Sequence, residues 1–147
     1  MNTVEINIIN SGEMLTSDDI VVFCDTVLQK LKINNWEISL LFCNNKYIKN
    51  LNKKFRSINE ATDVLSFTQD LVPVDDIIYA GDIVVSLETV KEHSNAFNVS
   101  FNEELKRVVI HGILHLKGMD HMTNSKEEKM LQLQENIVKD LSGVVLV

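Results

Sequence analysis

Trp36 to Arg56 reads WEISLLFCNNKYIKNLNKKFR, and its hydrophobic period changes once, at Asn44. Before that residue Trp36, Ile38, Leu40 and Phe42 fall on one face of a period-two pattern, as in a strand with one side turned inward. After it, Asn44 is placed to cap a short helix whose Ile48, Leu51 and Phe55 recur at helical spacing and point inward. The same alternation of element types precedes this stretch. VEINII (Val4 to Ile9) alternates as a half-buried strand does. Ser17 then stands as the cap of a helix with Asp18 and Asp19 in its first turn and Ile20, Cys24, Val27, Leu28 and Leu31 as its apolar stripe.

Beyond Arg56 the pattern shifts. TDVLSF (Thr62 to Phe67) and the continuous, β-branched GDIVVS (Gly81 to Ser86) read as two strands, joined by a loop from Gln69 to Tyr79 that holds the only proline. Leu87 to Phe97 reads as a helix. Ser100 with Glu103 forms a capping box that opens another, and Gly118 is its natural stop, since glycine accepts the left-handed conformation at a helix end. A last helix is expected from Ser125, with Glu128 closing a second capping box, through Leu131, Ile137 and Leu141 to Gly143. The tail VVLV (Val144 to Val147) is apolar enough to pack back on the sheet or to meet a partner. No repeat, low-complexity tract or linker divides the 147 residues, which is a length for one domain.

With 45% hydrophobic and 24% charged residues, the composition favours a soluble globular class over a disordered or fibrous one. The start MNTVEINIIN has no basic segment leading into an apolar run and cleavage site. No stretch reaches the roughly 18 apolar residues of a membrane span, so the expected location is the cytoplasm. Cys24 and Cys43 sit in apolar periodic segments without metal or redox spacing and read as buried reduced thiols. The formal charge of −7 argues against broad phosphate-backbone binding. Any nucleic acid contact is therefore expected to be local, and no DNA partner is expected.

Three of the four histidines lie in HGILHLKGMDH, at His111, His115 and His121. On a helix, residues four apart share a face, so His111 and His115 can direct their nitrogens at one ion. Gly118 lets the chain reverse and bring His121 to the same point. Three imidazoles with an open fourth position are the ligand set of catalytic zinc, whereas a closed structural site normally has four protein ligands. The spacing is that of the metzincin proteases, except that Gly112 stands where they carry the glutamate base. Peptide hydrolysis is thereby disfavoured, while the metal site is not. His93, outside the cluster, reads as a solvent-facing residue.

HGILHLKGMDH resembles the signature of the YbeY family, bacterial metal-dependent endoribonucleases of ribosomal RNA maturation. LNKKFR (Leu51 to Arg56), ATDVLSF (Ala61 to Phe67) and AGDIVVS (Ala80 to Ser86) resemble that family's other landmarks in the same order, so the likeness spans nearly the whole chain. It implies a single α+β domain with a four-stranded mixed sheet packed with helices, and a metal site at the end of a helix. It implies one zinc ion on His111, His115 and His121, with other divalent metals such as nickel suited to the same ligands. It also implies cleavage of single-stranded RNA in ribosomal RNA precursors, at the 3′ end of 16S RNA and in ribosome quality control, with the small ribosomal subunit as partner. Met119 and Thr68 depart from the usual tyrosine and proline of the family, which touches fine specificity more than chemistry.

The resemblance assigns Arg56 a functional role, one that suits a planar guanidinium able to hold a phosphodiester through two directed donors. Asp120 is placed to support a ligand histidine or the turn after Gly118. Thr62 and Asp63 are placed to brace a strand or line a cleft. Gly112 leaves the general base unassigned. Either water or the ribose 2′-hydroxyl can be the attacking group. Another reading is a ribosome assembly factor whose metal only holds the helix end, and it predicts no turnover.

Overall fold

The computed structural model describes residues 1–9, 15–119 and 128–147. Along these the chain forms β1 (Thr3–Ile8), α1 (Ser17–Lys30), β2 (Trp36–Cys43), α2 (Asn45–Arg56), β3 (Val64–Thr68), β4 (Ile78–Ser86), α3 (Leu87–Phe97), α4 (Phe101–Leu116) and α5 (Lys129–Asp140). The strands form one sheet in the order β1-β2-β4-β3. β1, β2 and β4 run parallel and β3 is antiparallel to β4, so the architecture is the expected α+β domain with a mixed four-stranded sheet.

Alternation in the strands puts side chains on two faces, and each face is covered by different helices. On one, Ile38, Leu40 and Phe42 of β2 join Ile83 and Val85 of β4 with α1 and α4 in the main core. On the other, Cys43, Leu65 and Val84 meet Ile48 of α2, with Tyr47, Leu51 and Phe67 packed around them. The sheet is thus buried on both sides over its centre, and β3 is left as an edge strand. Both cysteines are buried and reduced, as expected. Among the described residues, no helix is long and apolar enough to cross a membrane.

Several local expectations change on folding. α1 is entered one residue earlier, with Thr16 in the cap position in extended conformation and Ser17 already helical; no side-chain cap bond forms. Phe55 does not turn inward: the last turn of α2 reaches the sheet at its edge strand, and the ring stays 57% exposed. Asn52 takes the inward place instead, donating from Nδ2 to the Glu60 carbonyl at 3.0 Å. α5 starts at Lys129 with Glu128 in the cap position; Ser125, its expected capping partner, lies outside the described residues. The tail packs back, against helices more than sheet: Leu146 is fully buried, its N–H donates to Asn102 Oδ1 at 2.7 Å, and its carbonyl accepts from Thr16.

Candidate metal centre

α4 carries the histidines, and both of its ends lie where the sequence predicts, although the Glu103 carboxylate pairs with Arg107 and not with the cap. Ser100 Oγ accepts from the Glu103 N–H at 3.0 Å. At the other end Gly118 has φ +95°, its N–H donates to the His115 carbonyl, and the Met119 N–H donates to the Leu114 carbonyl. That is the Schellman pairing, which needs a residue free to adopt positive φ at this place. His121 and Asp120, beyond this turn, lie outside the described residues.

His111 and His115, one turn apart, bring their Nε2 atoms within 3.0 Å of each other, with ring centroids 4.6 Å apart. Two nitrogens bound tetrahedrally to one zinc ion lie about 3.3 Å apart, so the pair is already close to a chelating geometry. The tautomer of His111 is fixed from behind. Its Nδ1 lies 2.6 Å from Gln134 Oε1, while Gln134 Nε2 donates to Glu135 Oε2 at 3.1 Å. With its amide nitrogen engaged there, Gln134 presents oxygen to His111, so Nδ1 carries the hydrogen and the lone pair is on Nε2. The donor set therefore fits a divalent cation of the zinc or nickel kind.

Gly112 packs face-on against the sheet: a Cβ added there would lie 2.7 Å from Ile83 Cγ2. The position that bears a glutamate base in the protease motif thus points into the core here. Its carbonyl accepts from Ser66 Oγ at 3.3 Å, which ties β3 to α4 beside the histidines. On the outer edge of β3, Arg56 Nη2 donates to the Ser66 carbonyl at 2.8 Å. A cleft of about 270 Å³ results, lined by Arg56, Val64, Leu65, Ser66, Thr68, His111 and His115. The structure so brings Arg56 and two of the three expected ligand histidines to one cleft.

A second group lies on the other side of His111. Asp63, His93 and Glu104 place one ligand atom each within 4.8 Å of one another. His93 is therefore not simply solvent-facing: its side chain is 38% exposed and Nδ1 lies 3.5 Å from Asp63 Oδ2. Glu104 is buried, which pushes its carboxyl above the ordinary range, and Arg107 Nη1 at 2.8 Å pulls it part of the way back. A cleft of about 320 Å³ joins Asp63, Glu104 and Arg107 to His111 and Gln134. These residues offer a metal-ligand group as well, but one with a guanidinium already bonded to its most buried carboxylate. The nitrogens of the histidine pair are closer together, at 3.0 Å.

Sequence reasoning missed Gln134, Glu104 and Ser66. Gln134 carried a signal, being a polar residue on the inward stripe Met130, Gln134, Ile137 and Val138 of α5. The other two are ordinary helix and strand positions until the fold brings α4 against β3.

A family model described as Endoribonuclease YbeY matches residues 6–142. A Treponema denticola protein named Endoribonuclease YbeY is 50% identical over 120 residues, covering 79% of this chain and 77% of its own length. One of the same name from Borreliella burgdorferi is 48% identical over 127 residues, covering 80% and 82%. The solution structure of TM1509 from Thermotoga maritima superimposes with a TM-score of 0.67 at 29% identity, over 96% of this chain and 90% of that one.

Proposed function

The chain belongs to the endoribonuclease YbeY family, and from that premise we propose that it cuts single-stranded RNA at the cleft between Arg56 and the α4 histidines, in the maturation of ribosomal RNA. The observation that carries the reading is the convergence of the His111 and His115 Nε2 atoms in a cleft that Arg56 also lines. His111, His115 and His121 would hold a zinc ion, which supplies Lewis acidity and lowers the pKa of water when bound. Arg56 binds the non-bridging oxygens of the scissile phosphate, a task for which its fixed fork and permanent charge suit it. The Ser66 carbonyl holds one of its donors and so aims the rest of the guanidinium. Gln134 keeps His111 in the ligating tautomer.

Residues 1–147 would act as one catalytic domain of the cytoplasm. Its natural substrate would be a ribosomal RNA precursor, including the 3′ end of 16S RNA, met on the small ribosomal subunit. The non-catalytic assembly reading is not favoured, because the relatives are named for the nuclease activity.

The test is cleavage of a single-stranded ribosomal RNA fragment by zinc-loaded protein, beside Arg56→Ala and His115→Ala. Both variants are expected to lose cutting, Arg56→Ala while keeping its metal. Product ends identify the attacking group: a 5′-phosphate with a free 3′-hydroxyl means water, and a 2′,3′-cyclic phosphate means the ribose. Equal activity in all three proteins would overturn the assignment of the site.

A further inference from the structure

α2 reads NKYIKNLNKKFR, with Lys46, Lys49, Lys53, Lys54 and Arg56 and no acidic residue, in a chain whose formal charge is −7. Lys46, Lys49 and Lys53 recur at helical spacing on its exposed side. Five of the fourteen Lys and Arg residues of an acidic protein thus lie on the helix that ends at the cleft. At that end stands Phe55, more than half exposed where the periodicity of the helix would have buried it.

Phe55 is held in a defined pose. Its ring meets Phe67 of β3 edge-on, with centroids 5.4 Å apart and planes at 70°. The Lys54 ammonium lies 5.2 Å from the Phe55 centroid, and the Arg56 guanidinium 5.8 Å from that of Phe67. Phe55 and the phosphate-binding group proposed above therefore rest on one common ring, within about the span of a nucleotide or two. An exposed aromatic ring braced by a second ring and flanked by cations is the arrangement on which proteins stack unpaired bases.

We propose that Phe55 is the stacking platform for an unpaired base next to the phosphate that Arg56 binds, with the lysines of α2 drawing in the backbone beyond it. This rests on the reading of the cleft as an RNA-cleaving site and adds the origin of its preference for single strands. In a duplex the base faces are covered by their neighbours and cannot be offered to Phe55. Phe55 is then a positioning residue: it sets how RNA lies across the cleft without touching the reacting atoms.

The test uses the full chain in EDTA, so that binding is read without cutting, and a single-stranded oligoribonucleotide carrying 2-aminopurine at successive positions. Phe55→Leu keeps apolar contact with Phe67 but removes the π-face, whereas Phe55→Tyr restores it. Stacking by Phe55 predicts that wild type and Phe55→Tyr quench the probe at one register. Phe55→Leu should lose that quenching and bind single strands roughly five- to a hundred-fold more weakly. Its affinity for duplex RNA of the same sequence should not change. With zinc restored, the defect should fall on KM and leave kcat near that of wild type. Unchanged quenching and affinity in Phe55→Leu would overturn the proposal, as would an equal loss in Phe55→Leu and Phe55→Tyr, which would mean packing alone. A wild type that binds and quenches but cuts no RNA would sink the nuclease reading and leave the stacking platform standing.

Discussion

Gly112 shows how one residue separates two chemistries that share a spacing. The protease motif needs a carboxylate beside its first histidine, and here that position faces Ile83 with room for a hydrogen only. Gly112→Ala would press a methyl into a β-branched side chain on an inner strand and is expected to cost roughly 1 to 3 kcal/mol by overpacking, read as a lower urea midpoint. Gln134 acts more quietly. Gln134→Ala removes the acceptor that fixes His111, and zinc affinity measured by competition with a chelator should fall roughly ten- to a hundred-fold while the fold persists. An unchanged affinity would mean that the tautomer is set by something else. Of these two, only the glycine was legible in the sequence, because its neighbours in the motif say what it replaces. Gln134 becomes a partner of His111 only when α5 docks on α4, a contact across 23 positions that no local pattern encodes.

At the scale of elements, most of what depends on local pattern forms as expected, the cap of α1 excepted. The period of Trp36–Cys43, the bounds of Leu87–Phe97, the caps at Asn44 and Ser100 and the stop at Gly118 all depend on residues within a turn of one another. Phe55 was misjudged for the converse reason: helical spacing says which way a residue points, not whether the sheet extends far enough to cover it. Lys106 is the opposite case, a charged residue that the fold buries. It lies among buried positions of α4, yet its Nζ donates to the Leu141, Ser142 and Val144 carbonyls at 2.8 to 3.2 Å, closing the end of α5 and holding the tail. Burial lowers its pKa, opposed by Glu103, and the three carbonyls are the acceptors that make the buried ammonium tolerable. Lys106→Met should fill the same space but take one donor from each of these carbonyls, of which Val144 keeps Asn102 Nδ2 and Leu141 keeps the Val144 N–H. A loss of roughly 1 to 3 kcal/mol in denaturant unfolding is expected, with zinc content unchanged.

Across the whole molecule, the mixed sheet is what makes a site from distant pieces. α2 and α4 cover opposite faces, and they meet at the edge strand β3, where Arg56 reaches the Ser66 carbonyl from one side and Gly112 accepts from the Ser66 hydroxyl on the other. The segregation of charge belongs to this scale as well. An acidic chain with a local cluster of five cations on α2 should bind RNA through few phosphates, so the salt dependence should be shallow. Each of Lys49→Glu and Lys53→Glu should lower the magnitude of the slope of log affinity against log salt by roughly 0.7 if its lysine meets a phosphate. Metal content should not change in either. A slope unaffected by both changes would move the RNA track off α2.

The proposed site places the ion that cleavage requires on the α4 histidines and not on the neighbouring Asp63, His93 and Glu104. Zinc stoichiometry by mass spectrometry, measured with RNA cleavage on the same samples of wild type, His115→Ala and His93→Ala, decides between the two groups. His115→Ala is expected to lose both metal and cutting while His93→Ala keeps both; retention of zinc in His115→Ala with its loss in His93→Ala would place the ion at the second group instead.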